Sequence, residues 1–136
     1  MQVKDWVVII TGGGTGVGAA AALMLAKDGA RITINYSRSA REAEETAKAC
    51  EDLGAETLVC QGDVSKDEDC RRIVAETMAK WGRIDGLMNN AGTTMLVADN
   101  NLESLSADDF LHIYSVNVVG AYQMTRAVAP HMKAQG

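Results

Sequence analysis

Thr11-Gly12-Gly13-Gly14-Thr15-Gly16-Val17-Gly18 is the stretch of this chain whose residue types and spacing point most directly to chemistry. Glycines let backbone amides approach an anion closely, and a helix that follows such a turn directs its positive end at the same spot. A pyrophosphate is the ligand such a turn would hold. The string matches Thr-Gly-x-x-x-Gly-x-Gly through Gly12, Gly16 and Gly18, and it can also be laid on Gly-x-Gly-x-x-Ala from Gly14 to Ala19. Three further polar clusters follow: Asn35-Tyr36-Ser37-Arg38, Asp63-Val64 and Asn89-Asn90-Ala91-Gly92. Cys50, Cys60 and Cys70 are odd in number and ten residues apart, without the close Cys-x-x-Cys spacing of zinc or redox sites, so they read as reduced packing residues. His112 and His131 read as surface or core histidines, and no metal site is expected.

Positioning these clusters falls to an alternation of short β-branched runs and longer helical patterns, the signature of repeated βαβ units and a parallel sheet. Strand one is expected over Val7 to Thr11, a helix over Ala19 to Lys27 ending at Gly29, and strand two over Arg31 to Tyr36. Ser39 with Glu42 spells a capping box, opening a helix that should run to about Leu53 and stop at Gly54. Strand three is expected over Thr57 to Gln61. Ser65 with Glu68 spells a second box, opening a helix that ends at Gly82, and strand four is expected over Ile84 to Asn89. Every polar cluster thus falls at the carboxyl end of a strand, where a doubly wound sheet places a dinucleotide.

Ser106 and Asp109 cap a last helical stretch, expected to run unbroken over 107–133. Leu111, Tyr114, Val118, Ala121, Thr125, Val128 and Met132 form one apolar row, and Ile113, Val116, Gly120, Met124 and Ala127 form another. A helix apolar over so much of its circumference is normally buried on two sides, one against the sheet and the other against a neighbouring helix or subunit. A homo-oligomer through this helix is the expectation.

The glycine loop, Asp63-Val64, the Asn-Asn-Ala-Gly string and Asn117, in this order and spacing, make the sequence resemble the short-chain dehydrogenase/reductase family over its whole length, 3-oxoacyl-carrier-protein-reductase-like members included. The resemblance implies a Rossmann-type, doubly wound α/β fold with strand order 3-2-1-4. It implies that Gly12, Gly14, Thr15, Gly16, Val17 and Gly18 line the cofactor phosphates, and that Asn35, Tyr36, Ser37 and Arg38 read the adenosine ribose. Asp63 and Val64 would contact the adenine, and Asn90, Ala91 and Gly92 would border the ribose near the nicotinamide. Asp63 can also cap the loop into Ser65, and Asn89-Asn90 can tie strand ends together; the resemblance allows both roles at once. An NAD site places a carboxylate after strand two, which would repel a 2'-phosphate. Here no acid occurs before Glu42, and Ser37 and Arg38 stand ready as donors, so NADP is favoured over NAD. One departure is Thr15, where many NADP-using relatives carry a basic residue.

The activity so implied is hydride transfer between a nicotinamide and a carbonyl or alcohol, catalysed by a Ser, an Asn and a Tyr-x-x-x-Lys pair in which lysine lowers the pKa of the tyrosine. Asn117 matches the Asn. The tyrosines are Tyr36, Tyr114 and Tyr122, and the residues four positions on are Ala40, Val118 and Arg126, so the pair is absent from these residues. The expectation is a single dinucleotide-binding domain over 1–136, truncated after the helix that follows strand four and inactive alone, with strand four an unpaired edge and weak stability or aggregation as the result. The alternative is a cofactor-binding or subunit-interaction module without chemistry. Length and composition agree with one globular domain: 136 residues, 47% hydrophobic, 23% charged. A net charge of -5 argues against nucleic acid as a partner, and the longest apolar run is too short for a membrane helix, so a cytoplasmic protein is expected.

Overall fold

Two β-branched runs, Val7–Ile10 and Arg31–Tyr36, bury side chains on both faces, and in the computed structural model, which describes residues 2–136, they form the centre of one four-stranded parallel sheet. The strands are β1 (Val7–Ile10), β2 (Arg31–Tyr36), β3 (Thr57–Gln61) and β4 (Gly86–Met88), in the order β3-β2-β1-β4. This is the doubly wound α/β arrangement expected from the sequence. Val7 pairs with Arg31 and Ile10 with Ile34, while Val8 and Ile10 pair with Gly86 and Met88 on the other side of β1. Alternation along the central strands serves two cores. Val8, Ile10, Ile32 and Ile34 face helices α1 (Gly16–Lys27) and α2 (Ala40–Asp52), with Ala22, Ala26, Ala43 and Ala47 between. Ile9 faces α3 (Asp67–Trp81) and α5 (Gly120–Gln135), with Ile73, Ile84, Met124 and Val128. Within this second layer the buried hydroxyls of Thr33 and Thr77 satisfy each other at 2.8 Å.

Local structure departs from expectation at four places, each with a visible cause. Strand four is three residues long and not six, because Ile84 is held by the Gln135 side chain, whose Oε1 accepts from its amide and whose Nε2 donates to its carbonyl, and Asn90 leaves the sheet to bond Thr11. The Ser39 box does not form: Ser39 stands before α2 without a side-chain cap. Nor does the Ser65 box, because the Asp63 carboxylate captures both the amide and the hydroxyl of Ser65, at 2.9 and 2.7 Å. The helix starts two residues later, at Asp67. Ser106 and Asp109 do cap one another reciprocally at the start of α4 (Ala107–Tyr114).

The helix expected over 107–133 is interrupted. A π-helical turn, Ser115–Val119, separates α4 from α5, and the Ser115 hydroxyl donates to the His112 carbonyl across the junction at 2.7 Å. The row of Leu111, Tyr114, Val118 and Val128 does not keep one environment along its length. Met124, Ala127 and Val128 are buried in the core, whereas Leu111, Tyr114 and Val118 are 66%, 58% and 48% exposed. Among the described residues no helix is long and apolar enough to cross a membrane. Cys50, Cys60 and Cys70 are free and buried, and burial pushes the Cys60 thiol up to about 12 and the Cys70 thiol to about 11, which leaves them unreactive packing groups.

Candidate functional site

A cavity of about 570 Å³ opens at the carboxyl ends of the strands, within the range of small-molecule sites. It is lined by Gly12, Gly14, Thr15, Gly16 and Val17 from the β1–α1 turn, and by Asn35, Tyr36, Ser37 and Arg38 from the end of β2. Asp63 and Val64 contribute from the loop after β3, and Asn90, Ala91 and Gly92 from the loop after β4. All of the site residues read from the sequence meet here except Gly18 and Asn117.

Three layers of hydrogen bonds build this mouth. Thr11 is buried, and its hydroxyl accepts from the amides of Asn90 and Ala91 at 3.1 and 3.0 Å, fixing the loop after β4 onto β1. Asn90 returns the contact, its side-chain amide donating to the Thr11 and Gly12 carbonyls at 3.1 and 3.0 Å. Asn35 is only 1% exposed, and its side chain accepts from the Gly12 amide and donates to the Cys60 and Gly62 carbonyls. Its amide group is therefore committed to tying β1, β2 and β3 together, while the residue as a whole still lines the cavity.

The phosphate-like cradle lies where the turn enters α1. Thr15 precedes the helix and the Ala19 amide is bonded to its carbonyl, so the amides of Gly16, Val17 and Gly18 belong to the first turn, whose donors have no partner within a helix. Gly16 has φ +53 and nothing within 4 Å of the place a Cβ would occupy, so it opens onto free space. Gly18 does the opposite. A Cβ there would lie 2.5 Å from the Asn90 side-chain nitrogen and 2.6 Å from the Gly12 carbonyl oxygen, so this glycine permits the loops after β1 and β4 to touch. A dinucleotide fits what these residues offer: open space over Gly16, unsatisfied helix amides, and the positive end of a 12-residue helix.

The charged lining is sparse. Arg38 is exposed, and among the described residues no carboxylate pairs with it. Burial pushes the Asp63 carboxyl up, but the hydroxyl and amide of Ser65, aided by the charges of Lys66 and His112, outweigh burial and hold it below the ordinary carboxylate value. Asn117 sits in the π-helical turn and clamps Thr93 from both sides. Its carbonyl oxygen accepts from the Thr93 amide at 2.7 Å and its amide donates to the Thr93 carbonyl at 3.0 Å. It borders the cavity by holding the loop after Gly92, and does not line it.

Thr93, at the start of the loop over 93–101, also lines the cavity, as do Ser39, Gly62, His112 and Val116, which sequence reading missed. The signal was available for the last two, since His112 and Val116 are four residues apart and so share one face of α4 and its π-helical continuation. His112, read as a surface or core histidine, is exposed on the cavity wall.

A family model described as short chain dehydrogenase matches residues 6–136. A short-chain dehydrogenase/reductase homologue of Bacillus subtilis is 40% identical over 108 residues, a match that takes in 79% of this chain and 99% of that protein. Among solved structures, a candidate short-chain dehydrogenase/reductase from Burkholderia xenovorans is 39% identical with a TM-score of 0.90, over 96% of this chain and 53% of that one. An NAD+-bound xylitol dehydrogenase is 31% identical with a TM-score of 0.89, over 99% of this chain and 51% of that one. The chain spans about half the length of the first curated relatives it matches.

Proposed function

The chain belongs to the short chain dehydrogenase family, and from that premise we propose that residues 1–136 form the dinucleotide-binding domain of an NADP-dependent oxidoreductase that moves hydride between a nicotinamide and a carbonyl or alcohol. One observation carries the proposal: the glycine turn, the end of β2, Asp63-Val64 and Asn90-Ala91-Gly92 converge on one cavity at the head of α1. The nicotinamide supplies the hydride chemistry. The residues of this chain bind and orient it: the amides of Thr15 to Gly18 receive the pyrophosphate, Asp63 and Val64 flank the adenine, and Asn90 to Gly92 border the nicotinamide ribose. Asn117 acts from the π-helical turn, where its own main chain can hold a water in the proton relay while its side chain fixes Thr93.

Preference for NADP rests on Ser37 and Arg38, both on the cavity wall, with no acid between Asn35 and Glu42 to repel a 2'-phosphate. Titration of the protein with NADPH and NADH by nicotinamide fluorescence tests this. Arg38→Ala should weaken NADPH about 10- to 100-fold, the loss of one charge-assisted contact, and NADH by less than about twofold. Equal losses for the two would exclude NADP preference, and no binding of either would exclude the cofactor site.

Since these 136 residues hold no Tyr-x-x-x-Lys pair, they should bind the cofactor without turning over ketones or alcohols by themselves. A second reading, a cofactor-binding or subunit-interaction module without chemistry, is favoured by the Bacillus subtilis homologue, matched over 99% of its own length. NADPH binding supports either reading; NADPH consumption with a ketone panel would exclude the module. A homo-oligomer through the exposed stripe on α4 and α5 fits both readings. The net charge of -5 argues against nucleic acid, and buried free thiols agree with a cytoplasmic setting.

A further inference from the structure

His112 is the one histidine lining the cavity, and imidazole is the side-chain type that changes charge near neutral pH. It lies one helical turn before Val116, on the same side of α4 and its π-helical continuation; both line the cavity, and His112 is close enough to Asp63 to lower its carboxyl. Its backbone carbonyl is taken by the Ser115 hydroxyl, which fixes the helix at this point, while among the described residues its ring has no hydrogen-bond partner. An imidazole so placed, with both nitrogens free, is available to a ligand.

We propose that His112 contacts the adenosine end of the bound dinucleotide and that protonation of its ring tightens binding. The proposal rests on the cofactor reading above. The charged groups around the ring are few. Asp63 faces it from the loop after β3, Asp109 stands one turn earlier on α4, Lys66 lies beyond Asp63, and Arg38 lines the same cavity from the end of β2. Asp109 is held low chiefly by the amide and hydroxyl of Ser106, with His112 a smaller contributor, and its Oδ2 is occupied by that cap. Asp63 stays ionised through the range in which imidazoles titrate, because its carboxyl lies below the ordinary value. The wall therefore carries Arg38 against Asp63 when the imidazole is neutral, and gains a net positive charge when it is protonated. The pyrophosphate of a dinucleotide is anionic throughout, so affinity should rise as pH falls through the imidazole range.

The test uses ADP-ribose, whose two phosphates are both esterified and keep a constant charge between pH 5.5 and 7.5. Calorimetric titrations at pH 5.5, 6.5 and 7.5, in buffers of different ionisation heat, report affinity and proton uptake together. The wild-type chain should bind about fivefold more tightly at pH 5.5 than at pH 7.5, the worth of one charge at partly screened range, and should take up protons on binding within that range. His112→Gln should bind with a flat profile and no proton uptake, with an unfolding midpoint unchanged because the side chain is exposed. A variant that keeps the wild-type profile and uptake would overturn the assignment to His112. ADP-ribose that fails to bind a folded chain at any pH would overturn this inference, and failure of NADPH on the same sample would remove the cofactor reading as well.

Discussion

Two glycines two residues apart do different physical work. Gly16 needs its positive φ and faces open space, so a side chain there strains the backbone by about 1–2 kcal/mol but meets no atom. Gly18 is where the loops after β1 and β4 touch, and a methyl would push into Asn90 and the Gly12 carbonyl. Gly16→Asp should therefore leave a folded chain that no longer binds NADPH, since its carboxylate occupies the place proposed for the pyrophosphate. Gly18→Ala should lower the thermal midpoint and weaken NADPH at least tenfold, because Asn90 must release Thr11 and Gly12 to make room. Thermal melts and NADPH titrations on the two variants check the contrast, and equal melting losses would show that the two positions are not distinct. In the sequence both were simply glycines of one motif; only the approach of the second loop tells them apart.

The elements were legible where one local signal acts alone and misread where a second side chain competes for the same group. Ser106 and Asp109 form the capping box that their spacing spells, because nothing else claims either side chain. Ser65 and Glu68 spell the same box and do not form it, since Asp63, two residues upstream, offers Ser65 a carboxylate first. Strand four looked six residues long because Ile84, Leu87 and Met88 make the stretch apolar, yet Gln135, more than 50 residues away in sequence, holds Ile84 out of the sheet. The π-helical turn was likewise invisible, since Asn117 is drawn by the Thr93 backbone and not by its helix neighbours. The residues that line the cavity were legible through motif and strand ends, and Asn35 shows the limit: its place suggested a ligand contact, while its side chain bonds the Gly12 amide and the Cys60 and Gly62 carbonyls. At α4 the expectation is direct. Ser106→Ala should cost about 1 kcal/mol of helix stability and speed amide exchange in the first turn of α4 several-fold, with the exchange of α1 unchanged as the control.

Four carboxyl groups set how the whole molecule responds to acid. Asp85 is lowered first by Arg83, against burial, and also accepts from the Val7 amide at the start of β1; Asp67 is lowered by Arg71 and Arg126; Asp63 and Asp109 are lowered by their serine donors. A folded value below the unfolded value of about 3.9 means stability present above that value and lost as pH falls through the folded one. The denaturant midpoint should hold from pH 7 to about 5 and fall steadily below 4, and Asp85→Asn should flatten part of that fall. The same scale raises the question of what covers Phe110, Leu111, Tyr114, Val118 and Tyr122, which stand exposed along α4 and α5 at spacings near four residues and so form one stripe. Phe110, Leu111, Tyr114 and Val118 are left about half exposed or more, while the Arg126 guanidinium stands over the Tyr122 ring at 5.0 Å, and the buried half of the helix shows that the core is satisfied without them. Self-association of two copies through this stripe follows as the expected outcome, and sedimentation equilibrium at roughly 10–100 µM, the concentration range of weak apolar dimers, should show it. The double variant Leu111→Ser with Tyr114→Ser should sediment as a monomer, and because both side chains are exposed its unfolding at low concentration should match the wild type to within about 0.5 kcal/mol per site. A wild-type chain that stays monomeric at the highest concentration would mean that the stripe serves some other surface than its own copy.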